Sequence, residues 1–441
     1  MSAIKPSIYS TVTITSQDNR DVDFRLACVS IDIYEDVMVP SLSARIQVAN
    51  AGGVIKDSSG TAVSLYDGLK IRGGEEVQIL IEPNSANNEA IDFIREPLYV
   101  RGVRNLMREA GAEFFNLSLV TRQALENETK FVKGAFSKSG MISEHVRTIL
   151  KENFTLGTRK PDVDDTVNPL GFIGNQMHPF DIITRLASKS VFGGNTGGSA
   201  GFFFYQTRDG FKFKSIDSLN DQTPKATYVY TEKNYNSTTF KPTPDLPSLD
   251  YKITSYQLLH NQDLIEQMKK GTYATDRRFM DPFSFQVTET KEAFTGKDYV
   301  GKVSNLGQRF DPTDIAFRGS TKSFMEEPSQ IITEIFDRGT IEEDVNDELT
   351  KDIREYLSQA KMRYNSLFTQ MVRLQVPLNS TLRAGDLIEC KFPKIMDGAN
   401  IRFEKEQVSG IYMIKELCHH FDSRASYTAM LLVRDTFGKK Q

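Results

Sequence analysis

Three cysteines and five histidines are the softest metal ligands in this chain, and they cluster only at Cys418-His419-His420. Consecutive side chains of a strand point to opposite faces, so only Cys418 and His420 share a side, two donors short of a tetrahedral site. The run reads as a small buried thiol beside ordinary barrel histidines. Cys28 and Cys390 lie far away in sequence, which excludes a disulfide scaffold and paired Cys-x-x-Cys zinc ligands. His145 falls on the apolar stripe of a helical segment and reads as a satisfied core histidine. Gly197-Gly198-Ser199-Ala200-Gly201 matches the letters of a nucleophile elbow. That elbow requires a strand before the serine and a helix after it; here the order is reversed, so a plain loop is expected. Gly296-Lys297-Asp298 fails the third letter of a phosphate loop, and the glycine-rich 193–201 stretch opens no helix. The acidic neighbours Glu75-Glu76, Asp164-Asp165 and Glu342-Glu343 read as solvated turns or loops. No catalytic, cofactor-binding or metal-ligating constellation emerges.

The elements around these residues point to architecture instead. With 441 residues the chain has length for about three domains, and 39% hydrophobic against 25% charged residues marks it as globular. Lys+Arg 54 against Asp+Glu 58 leaves a formal charge of -4, too balanced for a protein that grips nucleic acid through clustered cations. The start, Met1 to Pro6, has no apolar h-region and no stretch reaches a membrane span, so folding in a cytoplasm is expected. Period-2 alternation at Thr11–Thr15, Asp23–Ile31 and Ser41–Val48, followed by strands near 76–82, 97–107 and 113–121, predicts a first antiparallel barrel over residues 1–125. An α+β insertion is expected over 126–220, with helices near 139–154 and 178–191 and a hairpin of Phe202–Thr207 with Phe211–Ser215 around Arg208-Asp209-Gly210. Residues 221–247 supply a strand and a proline-rich linker, and 248–345 form an insertion of undefined fold. From 346 to 441 an amphipathic helix near 351–368 leads into a second run of strands. The fold class is therefore α+β, mainly β, with two antiparallel barrels.

The two ends echo one another. Arg72-Gly73-Gly74 precedes a strand ending near Pro83, and Arg383-Ala384-Gly385 precedes one ending at Pro393. Later strands open at Tyr99 and Tyr412 at almost equal intervals, and the closing strands finish at Arg122 and Arg434. These eight residues (Arg72, Gly74, Tyr99, Arg122, Arg383, Gly385, Tyr412 and Arg434) are the candidate positions of an internal barrel repeat, in which a glycine turn aims the following strand.

The C-terminal run carries a resemblance. Leu382–Asp386, Gly410–His419 and Tyr427–Arg434 match an L-x-x-G-D turn, a G-x-Y-x-I/V-x-x-x-x-H strand and a closing Y-x-T/A-x-L-x-L-x-R strand, the last loosely. Together they resemble the central hub proteins of contractile phage tails, a family that includes T-even-type baseplate hubs, late-control D proteins and the hub part of type VI spikes. The order of elements is similar along nearly the whole chain. Gly271-Thr272-Tyr273-Ala274, leading to Asp281-Pro282, also looks like this branch.

The resemblance implies a structural homotrimer whose six tube-protein-like barrels join a hexameric tail tube, or a tube initiator, above to a trimeric spike below. Baseplate wedge proteins are further possible partners. It implies a virion-tail location, assembly in the host cytoplasm, no cofactor, no membrane insertion and a channel through which genomic DNA passes without specific binding. A wall without cationic patches would suit that passage. Two other readings remain: a cell-wall-degrading tail enzyme, for which the end at Gln441 leaves no evident module, and a receptor- or carbohydrate-binding tail component.

Overall fold

The computed structural model describes residues 5–436, apart from 51–54, 57–61, 110, 195–198, 233–239, 245, 262, 282–283, 294–303, 308–315, 325–326, 336–346 and 393–406. Gly197-Gly198, Pro282, Gly296-Lys297-Asp298 and Glu342-Glu343 lie outside the described residues.

The N-terminal module contains β1 (Ile8–Thr15), β2 (Cys28–Asp36), β3 (Ser43–Asn50), β4 (Glu76–Glu82), β5 (Leu98–Glu109) and β6 (Ala112–Val120). Their spatial order is β1-β4-β5-β6-β3-β2, antiparallel throughout. Alternation drives the curl: positions of one parity, such as Ala44, Ile46, Ile79, Leu117 and Leu119, are buried together, while their neighbours face outward. The insertion follows as α1 (Arg122–Thr129), α2 (Ile142–Asn153), α3 (Pro179–Lys189) and the hairpin β7 (Phe202–Thr207) and β8 (Gly210–Ser215). Pro179 occupies the first turn of α3, where its missing N–H costs nothing. A phenylalanine-rich core of Phe154, Phe180, Phe204, Phe211 and Phe213 joins α2 and α3 to the hairpin.

The second module is assembled from β9 (Ala226–Tyr230), β10 (Ser255–Asn261), β14 (Gln370–Pro377), β15 (Leu387–Lys391), β16 (Gly410–Asp422) and β17 (Ser426–Arg434). Between β10 and β14 the chain makes a separate sheet of β11 (Ala274–Met280), β12 (Val287–Ala293) and β13 (Gln330–Ile335), then the helix α4 (Asp347–Ser366). Buried Arg363 of α4 meets Asp217 through two 2.8 Å bonds, tying the helix to the end of the insertion. The order of the second module is β9-β15-β16-β17-β14-β10.

Five strands of each module share both chain order and neighbours: β2, β3, β4, β5, β6 correspond to β10, β14, β15, β16, β17, antiparallel in both. A bulge falls at the same place in both, between Val100 and Gly102 in β5 and between Ile414 and Glu416 in β16. The sixth strand differs, since β1 runs antiparallel to β4 whereas β9 runs parallel to β15. Placing β10 in this sheet moves it out of the 248–345 insertion expected from sequence. Its side chains from Ser255 to Leu259 are all exposed, so the alternation that identifies a half-buried strand is missing.

The two modules are one continuous sheet. β2 pairs with β16 from Asp36 opposite Glu416 to Ser30 opposite Asp422. Strand β16, at 13 residues, is long enough to pair with β15 over its first part and with β2 over its last.

Candidate functional site

Where the modules and the insertion hairpin meet, charge is buried. Glu35 of β2 has a fully covered side chain. Its carboxylate accepts the backbone N–H of Arg208 at 2.8 Å and that of Ala384 at 3.0 Å, one from the hairpin turn and one from the second module. The Arg208 guanidinium lies 4.0 Å away and donates to the Ser380 carbonyl. Arg383 grips Asp209 with two 3.0 Å bonds, reaches Glu89 of the first module at 3.1 Å, and donates to the Ser380 and Leu382 carbonyls. The Ser380 hydroxyl and the Glu89 backbone exchange 2.7 Å bonds.

Burial sets the electrostatics of this junction. It pushes the Arg208 guanidinium down to about 10, helped by the like charge of Arg383. Burial also opposes the charge on Arg383, but Glu35 and Asp209 outweigh it and hold that guanidinium above its usual value. Burial pushes the Glu35 carboxyl up against the pull of both arginines and both N–H donors. His419 is fully buried, bonded to Thr428 at 3.0 Å, and burial together with Arg208 and Arg383 holds it neutral, well below the ordinary histidine value. Every named cation and carboxylate here meets another part of the chain. The arrangement fastens the two modules and the insertion hairpin together; it does not present a reactive group.

A second polar set lies on the seam itself. His420 Nδ1 meets Asp32 at 2.5 Å and its Nε2 meets Asp422 at 3.3 Å, while Arg45 binds Asp32 at 2.7 and 3.0 Å. The Asp32 bond, resisted by burial, raises His420 above its ordinary value. Cys418, on the same side of β16, is covered enough that burial pushes its thiol up to about 12. A cleft of about 370 Å³ runs along this seam beside Tyr34, Cys418 and Arg373. Among the described residues no three His, Cys, Asp or Glu side chains converge as a metal site, and no helix is long and apolar enough to cross a membrane.

The repeat positions fall as follows. Gly74 and Gly385 both have φ +89°. Each donates its N–H at 2.8 Å to the next long strand, Gly74 to Val100 and Gly385 to Ile414. Arg72 and Arg383 each donate a backbone N–H to the acid three residues on, Glu75 at 2.8 Å and Asp386 at 2.7 Å. These bonds make Val100 the counterpart of Ile414, so Tyr99 matches Met413, and Tyr412 matches Leu98. Tyr99 and Tyr412 are thus one residue out of step. Adjacent strand positions face opposite ways, so Tyr99 is half-buried on Glu76 while Tyr412 is fully buried. Arg122 and Arg434 are out of step by the same amount. Arg122 is exposed and pairs with Glu126 in α1, whereas Arg434 is buried over the Tyr412 ring, 4.4 Å from its centroid, and binds Gln370.

Glu35, Glu89, Arg208 and Asp209 escaped the sequence reading. Arg208-Asp209 was legible only as a turn, and nothing local places Glu35 beside a residue 173 positions away.

Comparison with known proteins agrees with the fold. The tail protein of Neisseria meningitidis MC58 superposes with a TM-score of 0.52 at 10% identity, covering 96% of this chain and 96% of its own. The 43 kDa tail protein of prophage MuSo2 from Shewanella oneidensis gives 0.52 at 10% identity, covering 97% and 98%. No family model and no curated protein matches the sequence. The chain therefore has the fold of these two tail proteins across nearly its whole length.

Proposed function

We propose that this protein is a structural component of a phage-type tail, and within it the central hub of the baseplate: a homotrimeric adaptor between a hexameric tube and a trimeric spike, with DNA passing through its centre. The observation that carries the reading is the pair of five-stranded modules with one chain order, one pairing scheme and one bulge position. Three such chains offer six near-equivalent modules to a sixfold tube while remaining threefold toward a spike. The buried junction fits a static role, because its charges are spent holding the two modules and the insertion at a fixed angle. The fold shared with two tail proteins over 96–97% of the chain supports the same reading.

The repeat positions of this design are the two turns, Arg72 with Gly74 and Arg383 with Gly385. The proposed domains keep residues 1–125 as the first barrel and 126–220 as the insertion, with β9 and β10 added to the second barrel. The near-neutral charge suits a passage that does not hold phosphates. The test is to image tail particles carrying a tagged copy of the chain. Label at the tube–spike boundary is expected; label along the tube or at fibre tips overturns the hub assignment.

A further inference from the structure

We propose that the exposed edge of β10 in one copy of the chain adds, antiparallel, to the exposed half of β5 in the next, with Tyr256–His260 facing Arg104–Arg108. The inference rests on the reading that copies of this chain assemble side by side, and it names the surfaces that would do so.

The internal repeat supplies the argument. Within one chain the modules join through β2 and β16. Their counterparts are β10 and β5, and among the described residues each of these keeps one side open. β10 shares a ladder with β14 alone. β5 is bonded to β4 only at Leu98 and Tyr99, so from Val103 onward its side away from β6 has no ladder partner among the described residues. The chain therefore leaves open the counterparts of the two edges that it joins internally, and a second copy continues the sheet.

Burial tells the same story. Ile31 and Ile33 of β2 are fully buried in the core of the first module, which Phe421 of β16 joins across the seam. Their counterparts by register with the neighbouring strand, Tyr256 and Leu258, are 40% and 38% exposed. On the other edge Leu106 and Met107 are 41% and 63% exposed, where His419 and His420 stand in the covered strand. Open edges flanked by large apolar side chains are an aggregation hazard unless a specific partner covers them. Asn105, at φ +56°, makes a bulge opposite Phe115 that interrupts the β5 edge. Such a bulge hinders indiscriminate strand addition and favours a single register.

Copying the internal register sets Met107 of one chain opposite Gln257 of the next. Directly opposed strand residues have Cβ atoms roughly 4.5–5.5 Å apart, within reach of a disulfide after small adjustment. The experiment mixes full-length Met107→Cys and Gln257→Cys variants under mild oxidation and compares them with each variant alone and the unsubstituted chain, whose native thiols set the background. A mixed disulfide dimer at least tenfold above each single-variant control is expected. In parallel, Leu258→Lys, at an exposed position, is expected to lower the assembled fraction at least tenfold with unchanged melting. An assembly seen by mass photometry that yields no mixed disulfide and survives Leu258→Lys overturns this edge pairing while leaving the hub reading intact. A chain that stays monomeric at its highest soluble concentration, with and without a spike protein, contradicts both.

Discussion

At the scale of residues, the junction is a set of charges whose value depends on completeness. Removing the carboxylate in Glu35→Ala leaves two backbone N–H groups without their acceptor and the Arg208 guanidinium without the carboxylate 4.0 Å away, a loss of about 3–5 kcal/mol for breaking a buried charge network. Urea denaturation should show it as a lower midpoint with an unchanged slope. The two turn glycines separate backbone strain from packing. Gly74→Ala and Gly385→Ala both force a side chain to φ +89°, costing roughly 1–2 kcal/mol. A Cβ at Gly385 also collides with the Tyr205 hydroxyl, whereas one at Gly74 meets nothing within 4 Å, so Gly385→Ala is the more damaging by thermal melting. The seam adds a pH response. His420 has a raised folded value, so its bond to Asp32 contributes fully below about pH 6.5 and is lost as pH rises through that raised value. Asp32 is held below the usual carboxylate range by His420 and Arg45 against its burial, so its contribution is lost as pH falls through acid values. Asp422, Tyr34, Cys418 and Tyr427 face the same pair. A melting-temperature profile should decline on the alkaline side for the natural chain and flatten there for His420→Gln. The glycine turns were legible in sequence because a φ above zero selects glycine. The junction was not, because its charges come from four distant segments.

At the scale of elements, one strand does the joining. β16 shares ladders with β15, β17 and β2, so opening either module strips partners from the other. Native-state hydrogen exchange should find the amides of Leu417–Phe421 among the slowest, and both modules should open in one cooperative step; two separate transitions would show that the seam is weaker than its own modules. Strands buried on one face, such as β1 and β3, were plain from alternation, and the amphipathic stripe of α2 was equally clear. β10 was hidden because its side chains from Ser255 to Leu259 are all exposed, so no buried face imposes a pattern. The one-residue slip at Tyr99 and Arg122 has a simpler origin: letters can be aligned by type, but hydrogen bonds fix the register.

At the scale of the whole molecule, the account is one of symmetry. A chain that carries the same five-stranded module twice, rigidly joined by a sheet and a buried charged junction, can act as two neighbours in a six-membered ring. This level was legible in the sequence as the echo of Arg72-Gly73-Gly74 by Arg383-Ala384-Gly385, and the paired turns now carry it in matching bonds to Val100 and Ile414. The angle between modules was not legible, since it depends on how Glu35, Arg208 and Arg383 come together. The most direct test is cryo-electron microscopy of the purified assembly. The account predicts a particle of three 49.8 kDa chains whose six modules lie at one radius and repeat at near 60° steps. A closed assembly in which the two modules of a chain occupy different radii, or share no ring, would contradict it.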